Sequence, residues 1–166
     1  MKVSMENDYC LIDNMRNIEE WFNEYGESHQ NPTNKMVHWI CVPVIFFSVV
    51  ALLSLLQLPI FFGLNLTFAH AVLLFAAFFY LRLSLNLGLV TIMFASLCLW
   101  LSMTMQGLEL PVFAIAIGLF IAAWIGQFWG HHIEKKKPSF LKDIQFLLIG
   151  PLWLMGFIFK RLGIKY

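Results

Sequence analysis

Four of the five histidines stand at the edges of apolar stretches. His29 and His38 lie in "YGESHQNPTNKMVHWICVP", which leads into a long apolar run, and His131 and His132 lie in "QFWGHHIEKKKP", which follows another. Imidazole is the commonest metal ligand, and three or four of them meeting at a membrane edge would bind Fe(II), Zn(II) or Cu(II). In an uninterrupted helix His29 and His38, nine residues apart, would point about 180° away from each other and could not share an ion. Pro32 changes this. The Asn31-Pro32 pair disfavours helix at Asn31, and Thr33 or Asn34 is a good N-cap for a new helix containing His38, so the turn can fold His29 back over His38. His131 and His132 are about 100° apart on a helix, so they do not both face one centre. His131 is the favoured ligand, because Gly130 lets backbone approach closely and Glu134, three residues on, could ligate or accept a ring N–H. His70, inside an apolar run, is either bonded to a neighbouring helix or a further ligand or proton relay.

The elements that must position these residues follow from composition. The chain has 166 residues, of which 60% are apolar and 13% charged, against about 45 to 50% apolar and roughly a quarter charged in soluble domains. It reads as a membrane protein of one domain, 1–166, too short for a separate soluble domain. A net charge of +1 argues against nucleic acid as a partner, since phosphate binding needs a sustained basic surface. Cys10, Cys41 and Cys98 are scattered, with neither metal spacing nor a disulfide framework, and read as packing residues. The N-terminus lacks the pattern of a signal peptide, so insertion is expected to rely on the spans themselves.

The fold class read from the sequence is all-α: an integral membrane bundle of four transmembrane helices, at about 36–58, 61–81, 87–105 and 110–129. The breaks "QLP", "RLSLN" and "QGLELP" suit tight helical hairpins. All eleven Lys and Arg residues fall on one side of these spans, which places both termini and Arg82 in the cytoplasm. Ile18, Trp21, Phe22 and Tyr25 share one helical face, predicting an N-terminal helix along the cytoplasmic membrane surface. The last apolar run, 144–159, is short, holds Gly150-Pro151 and is bracketed by Lys142 and Lys160. It reads as a re-entrant or interfacial helical hairpin. Trp21, Trp39, Trp124, Trp129 and Trp153 fit an aromatic belt, and "EKKKP" fits an anchor on anionic lipid.

"YGESHQNPTNKMVHWICVP" together with "GQFWGHHIEKKKPSFLKDIQFLLIGPLW" resembles the Mpo1-like family of small multi-spanning membrane proteins, which includes an Fe(II)-dependent 2-hydroxy fatty acid dioxygenase. The resemblance implies that His29, His38 and His131 match the family histidines, Asn31 and Pro32 the turn, and Glu134 the acidic residue after Gly-His. The segment 130–138, Phe157 and "YLRLS" look more like a bacterial branch, which implies a bacterial inner membrane, or the endoplasmic reticulum in a eukaryote. The implied reaction cleaves a long-chain 2-hydroxy fatty acid with O2 to an acid one carbon shorter. In that reading Fe(II) is held by His29, His38 and His131, Glu134 and Asn34 orient them, and Lys35 and Lys135 hold the substrate carboxylate. The alternatives are a haem-binding membrane protein and a non-catalytic metal- or lipid-binding one.

Overall fold

The computed structural model describes residues 17–59, 65–136 and 146–166. Among these residues lie six helices: α1 (Ile18–Gly26), α2 (Pro32–Ser54), α3 (Phe68–Leu83), α4 (Leu85–Gly107), α5 (Val112–Glu134) and α6 (Phe146–Leu162). Cys41 and Cys98 are buried free thiols. Cys10, Lys2, Arg16, Lys137 and Lys142 fall outside the described residues.

Local chemistry sets the helix starts. Asn17 opens α1 with a capping box: its side chain accepts the Glu20 N–H at 2.9 Å and the Glu20 carboxylate accepts the Asn17 N–H at 3.1 Å. The N-cap of α2 is Asn31, which accepts from the Thr33 N–H at 2.9 Å, and not Thr33 or Asn34. Pro32 takes the first helical position, where its missing N–H costs nothing and its fixed φ suits the turn. Asn34 is therefore inside the first turn and fully buried. His70 stands in the first turn of α3 and bonds within its own helix start. Its Nδ1 accepts the Thr67 N–H at 3.1 Å and lies 2.9 Å from the Thr67 hydroxyl, closing the start of α3. At the end of α5, Lys135 adopts the left-handed region with φ of 58°, and the Lys136 N–H returns to the His131 carbonyl at 3.3 Å.

Three helices, α2, α4 and α5, are long and apolar enough to cross a membrane, and α3 is a shorter apolar helix. Each of the three has 23 residues, about 34 Å at 1.5 Å per residue, against a hydrocarbon core of about 30 Å. Large apolar side chains such as Leu74, Phe75, Met93, Phe113 and Ile125 cover the outer faces, which suits lipid and not water. Buried hydroxyls satisfy themselves, as the bilayer requires: Thr91 donates to the Leu87 carbonyl at 2.8 Å and Ser48 to Val44 at 2.7 Å. Ser54, Ser102 and Gln106 tie α2 to α4 at one end of the bundle. The starts of α2 and α4 and the ends of α3 and α5 share the other end, where Tyr80 donates to Leu148 and Asn86 to the Lys165 carbonyl.

The main packing seam is α2 against α5. Gly126 and Gly130 form a small-xxx-small face: a Cβ at Gly126 would lie 2.8 Å from Cys41 Sγ, and one at Gly130 would lie 2.5 Å from Asn34 Oδ1. The C-terminal stretch departs from expectation, because α6 runs as one helix through Gly150 and Pro151. Residues 144 and 145 of that stretch lie outside the described ones. Proline in a helix interior removes a hydrogen bond, and burial offsets the loss: Ile149, Leu152 and Leu154 are at most 1% exposed. Trp21, Phe22 and Tyr25 of α1 pack on α6 in one core with Tyr80 and Leu87. The apolar face of α1 is thus met by protein, and Trp21 and Trp153 are core residues and not a belt.

Candidate metal centre

Three buried histidines converge where α1, α2 and α5 meet. His29 lies in the turn after α1, His38 in the second turn of α2 and His131 in the last turn of α5. A ligand nitrogen of each lies within 4.8 Å of the other two. The hydrogen bonds decide the tautomers of the first two. His29 Nδ1 faces the Tyr25 carbonyl at 2.5 Å and His38 Nδ1 faces the Asn34 carbonyl at 2.9 Å. A carbonyl only accepts, so each Nδ1 carries the ring N–H and each Nε2 is a bare lone pair. The two Nε2 atoms are 2.9 Å apart. Two neutral rings arranged so repel unless a cation lies between or beside the lone pairs. His131 adds a third donor, with its Nδ1 buried and unpartnered among the described residues.

The electrostatics keep the set ready for a metal. Burial first, and then the neighbouring His38, lowers the pKa of His29 to about 3, so its ring is neutral at any physiological pH. Tyr25 stacks on His29 with centroids 4.2 Å apart and planes 11° apart, and Trp153 packs 5.2 Å from the same ring. Backbone carbonyls that fix the tautomer of a ligating histidine are the usual support of a metal site. Three neutral imidazoles fit Fe(II), Zn(II) or Cu(II) as a donor set. They do not fit an axial haem pair between His29 and His38, because a 2.9 Å gap leaves no space for a porphyrin plane.

Glu134 does not join the donor set. Its carboxylate accepts the Gln30 and Asn31 N–H groups at 2.8 Å each and the Asn34 amide at 3.1 Å, stapling the α1–α2 turn to the end of α5. Asn34 also donates to the Ser28 carbonyl at 3.1 Å. Lys136 Nζ reaches the Glu27 carbonyl at 2.6 Å. Each of these contacts holds the His29 turn over His38.

Below the histidines opens an apolar pocket of about 640 Å³ between α2, α3, α5 and α6. One face of α2 lines it from His38 through Val42, Ile45, Val49 and Leu53, and Ala69 and Ala76 of α3 form part of the opposite wall. His38 to Leu53 spans about 22 Å along the helix, more than the roughly 15 Å that half a hydrocarbon core provides.

The structure brings together His29, His38 and His131 and places Asn34 and Glu134 behind them. His132 is exposed. Neither Lys35 nor Lys135 lines the pocket. The backbone of Lys135 makes the left-handed turn that ends α5 while its side chain is exposed, and Lys35 is half-buried in the first turn of α2. Sequence reasoning missed Tyr25, Trp153 and Gln127. Tyr25 and Gln127 each precede a histidine by four residues, the helical same-face spacing and a usable signal. Trp153 comes from a distant helix and had none.

The family model described as 2-hydroxy-palmitic acid dioxygenase Mpo1-like matches residues 15–162. Over 140 residues, 82% of this chain and 76% of the relative, the sequence is 35% identical to the 2-hydroxy-palmitic acid dioxygenase MPO1 of Saccharomyces cerevisiae. No solved structure matches the chain.

Proposed function

From the premise that the chain belongs to the Mpo1-like family, we propose that it is a membrane-embedded, Fe(II)-dependent dioxygenase of long-chain 2-hydroxy fatty acids. The observation that carries this reading is the facing pair of bare Nε2 atoms, 2.9 Å apart beside His131, at the head of an apolar pocket. The reaction balances as 2-hydroxy acid plus O2 to the acid one carbon shorter, CO2 and water, with the C1–C2 bond broken. His29, His38 and His131 are the residues that would hold Fe(II). Bound there, the ion would supply O2 activation and a chelation point for the carboxylate and the 2-hydroxyl.

The chain's own residues do the rest. The Tyr25 and Asn34 carbonyls hold the two Nδ1 protons, so the rings present lone pairs without reorganising. Asn34 and Glu134 position the turn that carries His29. The apolar walls bury the acyl chain, about 0.8 kcal/mol per CH2, and exclude water from the reacting end. α3 completes a four-helix crossing with α2, α4 and α5, both termini are cytoplasmic, and the host membrane is a bacterial inner membrane or, in a eukaryote, the endoplasmic reticulum. The basic residues of the described chain, gathered at the histidine end of the bundle, support that orientation.

The test is O2 uptake by anaerobically purified, Fe(II)-loaded protein in mild detergent. Uptake with 2-hydroxypalmitate and release of an acid one carbon shorter are expected. Equal uptake with palmitate would sink the mechanism, and no uptake by protein holding one iron per chain would sink the enzymatic reading.

A further inference from the structure

Gln127 lines the pocket and is only 5% exposed, and its Oε1 is buried with no hydrogen-bond partner among the described residues. It precedes His131 by four residues, so on α5 it stands about one turn, roughly 6 Å along the axis, from His131 on the same face. Apart from the three histidines, Tyr25 and the indole of Trp124, the other side chains in the pocket wall are apolar. An unpaired buried amide is costly, and a Leu or Met would fill the same space without that cost. Packing therefore does not account for the residue, whereas a polar group on the occupant of the pocket does.

We propose that Gln127 is the positioning residue that reads the 2-hydroxyl of the bound acid, its Oε1 accepting the hydroxyl proton while the acyl chain runs on along α2. This rests on the functional reading above and deepens it: selection of the 2-hydroxy acid would be shared between metal and protein. A site built to hydrogen-bond a hydroxyl rejects the analogue that lacks it, because the buried acceptor then goes unpaired.

The test measures binding of 2-hydroxypalmitate and of palmitate to the full chain in detergent, with and without Fe(II). Wild type is compared with Gln127→Met, which keeps the length and removes the acceptor, and with Gln127→Leu. Retained palmitate binding and retained iron content report an intact pocket, so two variants guard against one that fails to fold. In metal-free wild type the 2-hydroxy acid is expected to bind about tenfold to a hundredfold more tightly than palmitate. Both variants are expected to erase that preference while binding palmitate as well as wild type or better. A metal-free preference that survives both substitutions overturns the role of Gln127 and leaves the functional reading standing. Equal affinity of wild type for the two acids, with and without iron, overturns both.

Discussion

Replacing Gly130 by Ala tests the geometry that brings His131 to the other two histidines. The new Cβ would lie 2.5 Å from Asn34 Oδ1 and 3.3 Å from a Val37 methyl. Ordinary contact begins at 3.4 Å, so the Asn34 contact must lengthen by about 0.9 Å, the difference from 2.5 Å. Asn34 has little freedom to move aside, since it is fully buried and its amide holds both Ser28 and Glu134. Either α5 retreats, carrying His131 with it, or Asn34 swings and releases the turn that carries His29. Metal-ligand distances tolerate about 0.2 Å, so either response spoils one donor of three. Overpacking of this kind costs about 1–3 kcal/mol of stability, and a displaced ligand is expected to lower metal affinity by at least the 10- to 100-fold seen when supporting contacts are lost. Chelator competition on purified protein gives the affinity and thermal melting gives the stability. In the double variant with Asn34→Ala the clash is gone, so its loss is expected to be smaller than the two single losses added together. A Gly130→Ala protein with wild-type metal affinity would refute the claim that close approach of α5 and α2 builds the site.

His29→Ala, His38→Ala and His131→Ala are each expected to lose bound metal and O2 uptake, and His132→Ala to keep both; metal analysis of the four proteins decides, and an equal collapse in His132→Ala would break the assignment. Glu134→Ala removes the acceptor of three hydrogen bonds and is expected to cost about 2–3 kcal/mol, with Glu134→Gln intermediate, as read by thermal melting; a melt unchanged by Glu134→Ala would mean the staple is idle. In metal-free protein His29 stays neutral down to about pH 3, whereas the unfolded ring titrates near 6.5. The unfolded state therefore binds more protons between those values, and stability is fully present above pH about 6.5 and falls as the pH drops towards 3. Melting followed from pH 8 to 4 is expected to show that fall and His29→Gln to flatten it; a flat wild-type profile would contradict a neutral buried ring.

The sequence by itself carried the class of the molecule and the raw material of its centre. A composition far too apolar for water, runs near 20 residues and a Pro-broken turn between His29 and His38 are local properties, legible because hydropathy and backbone sterics act over short spans of chain. Local rules reached less far at the helix starts, where Asn31 outranked Thr33 and Asn34 because proline is at home in the first turn, and at Gly150-Pro151, where burial on every side keeps α6 intact. The roles of individual polar residues belonged to the tertiary structure. Glu134 could have been a ligand by spacing, and Lys35 and Lys135 could have bound a carboxylate by charge. Only the packed chain shows Glu134 taken up by the backbone of a turn over a hundred residues earlier, the two lysines outside the pocket, and Trp153 against His29. Such outcomes depend on which donors and walls arrive from distant helices, and no spacing along the chain encodes that arrival.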